Sequence, residues 1–220
     1  MAKKWYRGIL AVGLLALAAS AQAAPPNAVM LANACGGCHG ARGVSAGPSM
    51  PSLAGQPKAY FIVAMKRFRS GERPSTVMGR LAKGYTDADI EAMAAFFARQ
   101  KPVPQSGPVD AKLVEKGAAI YYKQCKYCHL DNGRLWRQIH QGQDYDGQCR
   151  NCHADYGPDR GDETPVIAGQ WPTYLKIQMD EFKDGTRKMS KKKAKAMNAL
   201  SPEDREAVAH FYASQTAEER

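Results

Sequence analysis

Beyond its opening segment, the 220-residue chain has no apolar run long enough to cross a bilayer. It has no GxGxxG fingerprint, which argues against a flavin or nicotinamide dinucleotide of its own. It lacks nucleic-acid-binding motifs, so its formal net charge of +10 points to an acidic protein or membrane surface rather than DNA or RNA. Histidine is scarce, at five residues, and cysteine is absent outside three short motifs. All six cysteines and three of the histidines lie in CxxCH sequences: Cys35, Cys38 and His39; Cys125, Cys128 and His129; Cys149, Cys152 and His153. Six cysteines in an exported chain would ordinarily suggest a disulfide framework. A histidine directly after every pair argues for another use.

Export itself is read from the first residues. Lys3, Lys4 and Arg7 precede an apolar run from Ile9 to Ala19, and Ala21-Gln22-Ala23 forms an A-x-A site. This is the pattern of a secretory signal peptide, residues 1–23, cleaved after about Ala23. Its removal leaves a formal charge of +7 and a periplasmic protein with no transmembrane segment. Much of the remaining charge lies in RKMSKKKAKAM, Arg187 to Met197, which reads as a solvated face or a docking surface.

CxxCH places two thiols two residues apart, the separation needed to reach both vinyl groups of one porphyrin. The next residue, histidine, then falls under the iron as proximal ligand. The competing chemistries are weaker. Zinc sites rarely repeat a histidine directly after the second cysteine. A thioredoxin-like CxxC needs a βαβ setting, and no strand pattern surrounds these motifs. The motifs therefore predict haem c at Cys35/Cys38/His39 and at Cys125/Cys128/His129. A third haem is expected at Cys149/Cys152/His153, where the alternatives are a disulfide or an empty motif.

The chain also repeats itself. LAGQPKAYFIVAMKRFRSGER, from Leu53, matches IAGQWPTYLKIQMDEFKDGTR, from Ile167. Gly55, Gln56, Tyr60, Met65, Phe68, Gly71 and Arg73 recur 114 residues later as Gly169, Gln170, Tyr174, Met179, Phe182, Gly185 and Arg187. TDADIEAMAAFFARQ, from Thr86, recurs as SPEDREAVAHFYASQ at an offset of 115. Thr86 and Ser201 read as helix N-caps, each with an aspartate three residues on. Ile90, Met93, Ala94 and Phe97 give one apolar helix face, as do Val208, Phe211 and Tyr212. A further helix is expected over AKLVEKGAAIYYKQ, ahead of Cys125. The expected fold is all-α: two tandem class I cytochrome c-like haem domains, over 24–105 and 106–220. They are joined by the Pro- and Gly-rich KPVPQSGPVD, and a haem-binding loop is inserted in the second near 130–152.

Six-coordinate haems need distal ligands, and methionine gives a higher potential than histidine. Met78 lies eight residues before the Thr86 cap and is the expected ligand of the first half. Met50 is its weaker rival. Met30, Met65, Met93 and Met179 read as core residues. In the second half the matching position is Lys193, with Met189 and Met197 four residues to either side. Spacing does not separate those two methionines, and a lysine would first have to lose its proton. His140, between the second and third motifs, is a candidate distal ligand for one of the second-half haems. His210 reads as a packing residue.

CGGCHGARGVSAGPSMPSLAGQ and RFRSGERPSTVMGRLAKGYTDADIEAMAAFFARQ together resemble the cytochrome subunit of flavocytochrome c sulfide dehydrogenase, a diheme class I cytochrome. AGQWPTYL and HFYASQ resemble its second domain, so the resemblance takes in nearly all of the mature chain outside roughly 133–148. It implies an electron-transfer subunit, not an enzyme on its own. An FAD-containing flavoprotein that oxidises sulfide would be the electron donor, and a soluble cytochrome c the acceptor. It also implies Met78 as distal ligand and two haems, so the third CxxCH departs from it. The alternative is a free-standing periplasmic multihaem carrier feeding a terminal oxidase. A multihaem enzyme with a five-coordinate haem is a third reading.

Overall fold

The computed structural model describes residues 27–104, 107–125 and 165–215. The expected signal peptide, the whole inserted stretch near 130–152, and Cys128, His129, His140, Cys149, Cys152 and His153 lie outside the described residues. Among the described residues every regular element is helical. The first half contains α1 (Ala28–Asn33), α2 (Gly36–His39), a tight turn at Ala41–Gly43, α3 (Lys58–Ser70), α4 (Met78–Ala82) and α5 (Asp87–Ala98). The second contains α6 (Ala111–Ile120), α7 (Pro172–Lys183), α8 (Lys191–Asn198) and α9 (Pro202–Ser214). No helix among the described residues is long and apolar enough to cross a membrane.

The last helix of each half begins at a reciprocal cap. Thr86 accepts from the Asp89 backbone N–H while Asp89 accepts from the Thr86 N–H; Ser201 and Asp204 do the same. Each cap satisfies donors that the first helical turn leaves open and is worth about 1 kcal/mol. Behind the caps the expected apolar faces are buried. Ile90, Met93, Ala94 and Phe97 are at most 1% exposed and pack with Ala32, Phe61, Met65 and Ala82. Val208, Phe211 and Tyr212 pack with Tyr121 and Leu175. A smaller cluster of Phe182, Met197 and Leu200 lies under α8.

The halves repeat in backbone detail. Gly55 N–H donates to Phe97 O and Gly169 N–H to Tyr212 O, each at 2.9 Å. Both glycines have positive φ, 72° and 68°, a region that a residue with a Cβ enters only under strain. One core position differs in kind. Where the first half buries Ile90, the second buries Arg205, whose Nε lies 2.6 Å from Asp180 Oδ1 and whose guanidinium also donates to Leu200 O. Burial pushes the Asp180 carboxyl up, but Lys176 and Arg205 outweigh it and hold it below the usual range.

Three expectations need correction or refinement. Met30 is 67% exposed rather than a core residue, because α1 is short and Ala32 is its buried position. Met65 and Met93 are buried as expected, and Met179 packs against both second-half clusters. The helix before Cys125 is α-helical only to Ile120 and continues as a wider π turn over Tyr121–Cys125. Tyr121 points inward there, against Phe211 and Tyr212, while Tyr122 is exposed. His210, read as a packing residue, accepts at Nδ1 from the Asp110 N–H at 3.0 Å. It thereby ties the start of α6 to α9.

Helices α6 and α9 cross at Gly117, where an added Cβ would fall on the Ala207 carbonyl and crowd Phe211. Gly117→Ala is therefore expected to destabilise the second half by about 1–3 kcal/mol, the usual range for overpacking. A lowered urea midpoint with an unchanged slope would show it.

Candidate haem site

The first CxxCH sits on a single helical turn. Cys35 caps α2, and Cys38 and His39 lie within it, with His39 N–H bonded to Cys35 O at 2.9 Å. Cys35 is half-buried against the first core, Cys38 is exposed, and neither is in a disulfide. Burial, and then the neighbouring Cys38, raises the Cys35 thiol. Directly after His39 the chain reverses at Gly40, with φ 74°, where a Cβ would strike the Val44 carbonyl. This reversal and the bonds from Leu53 N–H and Ala54 N–H to Gly43 O bring the 40–54 loop back over α2.

The loop ends on the histidine. His39 is 8% exposed, and its Nδ1 lies 2.8 Å from Pro51 O. A carbonyl can only accept, so Nδ1 carries the proton and Nε2 keeps its lone pair. That is the tautomer a metal-binding imidazole requires. Burial lowers the His39 pKa, and the Pro51 bond opposes it. Met78 opens α4 half-buried and packs against the same core as Cys35. Two thiols on one turn, an imidazole with its outer nitrogen already bonded and a thioether on the same core fit a covalently held haem. Met50, the weaker rival, is 41% exposed.

A family model described as Cytochrome c matches residues 23–101. Cytochrome c4 of Pseudomonas aeruginosa is 32% identical over 180 residues, covering 81% of this chain and 80% of that protein. This chain belongs to the cytochrome c family. It is a cytochrome c4-like electron-transfer protein, and the family implies haem c as its cofactor. A thiosulfate dehydrogenase electron acceptor of Thiomonas intermedia is 30% identical over 187 residues, covering 82% of this chain and 77% of that protein. The cytochrome subunit of sulfide dehydrogenase from Chlorobaculum tepidum is 44% identical, but over 68 residues, or 31% of this chain and 61% of that subunit. The resemblance to that subunit, expected along nearly the whole mature chain, is thus partial for this relative. The fold matches reduced cytochrome c4 from Pseudomonas stutzeri with a TM-score of 0.62 at 24% identity, over 88% of this chain and all of that one. That likeness bears out two tandem cytochrome c domains.

In this cytochrome, residues repeated between the halves build the interface between them. Gln56 Nε2 donates to Val166 O at 2.8 Å, and Val166 N–H donates back to Gln56 Oε1 at 3.1 Å. Gln170 makes the same pair of bonds with Ser52, at 2.9 and 3.0 Å. Val166 and Ser52 are themselves 114 residues apart, so the interface is pseudo-two-fold. Tyr174 N–H adds a cross-half bond to Pro48 O at 3.0 Å. Alongside lie two repeated Tyr–Arg pairs. Arg73 donates to Gln178 Oε1 and lies 3.4 and 3.5 Å from the Tyr60 and Tyr174 hydroxyls. Arg187 donates to the same Gln178 oxygen at 2.6 Å. The guanidiniums also stack on Phe68 and Phe182, another repeated pair. Sequence reasoning found Gln56, Gln170, the Tyr–Arg pairs and Phe68 and Phe182 as repeats without assigning them a role, and did not single out Pro48, Ser52, Val166 or Gln178. The signal it missed was that polar residues recurred among apolar ones.

In the second half, Cys125 packs against the core at the end of the π turn. At the 115-residue offset that relates the Thr86 and Ser201 caps, Lys193 takes the register of Met78, and its Nζ lies 3.3 Å above the Phe182 ring. Met197 takes the register of Ala82 and is 7% exposed in the Phe182–Leu200 cluster, while Met189 is half-buried beside it.

Burial and then Tyr60 push the Tyr174 phenol up to about 12. Burial works against ionising Tyr60 as well, but Arg73 and Arg187 outweigh it and hold Tyr60 below the usual range. Tyr174 therefore stays protonated in the folded state above pH about 10, where the unfolded chain loses that proton. Its contribution is complete below pH about 10 and is lost as pH rises towards 12. Unfolding midpoints over this window are expected to decline more shallowly in Tyr174→Phe than in the parent protein.

Proposed function

We propose that this chain is an exported, free-standing c-type cytochrome that relays electrons between haems held in its two halves and passes them on to a terminal oxidase. The observation that carries this reading is the reciprocal interface: two buried glutamine clamps fix the halves as one body. Similarity to cytochrome c4 over most of both chains supports it. Domains over 24–105 and 106–220, cleavage after about Ala23 and a periplasmic location belong to the same proposal.

Bound haem would supply a one-electron couple at each site. Cys35 and Cys38 would anchor the first, His39 Nε2 would be its proximal ligand and Met78 its distal one. In the second half, Cys125/Cys128/His129 and Cys149/Cys152/His153 would each hold a haem, giving three. Met189, Met197 or Lys193 would be the distal ligand of one second-half haem, with His140 for the remaining position. Lys188, Lys191 and Lys195 are exposed on and beside α8 and offer a basic face to an acidic partner.

A second reading is favoured by the 44% identity of one segment to a sulfide dehydrogenase cytochrome subunit. The chain would then be the electron-transfer subunit of a complex, taking electrons from an FAD-containing flavoprotein and passing them to a soluble cytochrome c. Purification from the native host separates the two. A lone species without flavin supports the first reading, and co-eluting FAD supports the second.

Two further outcomes follow. The intact mass of the matured protein is expected to exceed that of the chain from Ala24 by three haems; an excess of two would leave one second-half motif empty. Met78→His is expected to lower the potential of one haem while keeping it six-coordinate, since histidine favours the oxidised iron more than methionine does. An unchanged redox titration would remove Met78 from the iron.

A further inference from the structure

The Pro51 carbonyl and the Ser52 N–H belong to one peptide unit, and that unit is hydrogen-bonded at both ends. His39 Nδ1–H donates to its oxygen at 2.8 Å, and its N–H donates to Gln170 Oε1, in the other half, at 3.0 Å. The peptide is planar, so holding the N–H also fixes the direction of the carbonyl. Gln170 Nε2 holds the next carbonyl, Ser52 O, at 2.9 Å, which leaves the segment little freedom to turn. The Ser52 hydroxyl accepts from Ser45 N–H and braces it from its own half. His39, Ser52 and Gln170 are each at most 8% exposed, so water does not compete freely for these bonds.

We infer that Gln170 is a positioning residue for the haem of the opposite half: it holds the Pro51–Ser52 peptide whose carbonyl orients His39. A peptide whose N–H is already bonded is a stronger acceptor at its oxygen, because bonds in a chain polarise one another. A stronger acceptor at Nδ1 makes the imidazole a better donor at Nε2, and an electron-rich ligand favours oxidised iron. The clamp therefore lowers the potential of the first-half haem. The other half is built the same way: Gln56 holds both ends of Val166, directly after Pro165, the repeat of Pro51.

The inference rests on His39 being the proximal ligand, and one experiment separates the two ideas. In the full-length, haem-loaded protein with labelled histidine, the His39 ring nitrogens are followed by NMR during a redox titration. In the parent protein they should show paramagnetic shifts in the oxidised state; their absence would overturn the ligand assignment and this inference with it. Gln170→Met is expected to raise the potential of the haem sensed by His39 and to speed exchange of its Nδ1 proton. Gln56→Met breaks the matching clamp and is expected to leave His39 unchanged while moving a second-half haem. Gln170→Glu keeps side-chain size and the acceptor for Ser52 N–H, the bond that acts on His39, but loses the donor to Ser52 O, so the potential should stay at or below that of the parent. The inference is overturned if Gln170→Met leaves the His39 haem unmoved. It is also overturned if Gln56→Met moves that haem equally, or if Gln170→Glu raises its potential as the methionine variant does, since loosening of the interface would then account for the change.

Discussion

Gln56 and Gln170 each place a donor and an acceptor against the acceptor and donor of a single residue in the other half. Every polar atom in the two exchanges is buried and paired. A net gain of about 1 kcal/mol per hydrogen bond is modest, but leaving such a group unpaired costs about 1–3 kcal/mol. The interface therefore tolerates little sliding, since a small shift would break several bonds together. The bond to the Pro51–Ser52 peptide and the contacts of Arg73 with Tyr174 and Gln178 cross the same interface.

Two guanidiniums beside one another would repel without compensation, and the surroundings supply it. Gln178 accepts from both, the Tyr60 and Tyr174 hydroxyls lie against Arg73, and each arginine covers an aromatic face. Burial and then Arg73 lower the pKa of Arg187, whereas the two tyrosines outweigh the burial of Arg73 and raise its own. The repeat is thus symmetric in sequence and asymmetric in electrostatics. Gln178 is one source of the difference, for the first half carries Ala64 at the same position.

Much of this arrangement was legible in the residues. The capping pairs at Thr86 and Ser201 and the apolar face of α5 follow from local rules, and the structure keeps them. The first CxxCH named its own chemistry. Other features are hidden for physical reasons. The bond from His39 to Pro51 spans twelve residues of irregular chain, where no periodicity operates. The partners of Gln56 and Gln170 lie 110 and 118 residues away. Met30 misled because a methionine near a helix suggests packing, while α1 is too short for its whole length to face the core.

The linker adds a consequence of its own. An added Cβ at Gly55 would meet Pro102, and one at Gly169 would meet Pro104. A Cβ at Gly107 would meet the Trp171 ring at 2.6 Å. The connecting segment therefore lies along the glycine turns of both copies and serves as a shared wall for each. Duplication made two similar modules, but neither is now a detachable cassette. Transplanted alone over 106–220, the second half would leave behind Pro104, the wall of its Gly169 turn, so the unit that can be inherited or engineered intact is the pair with its connector.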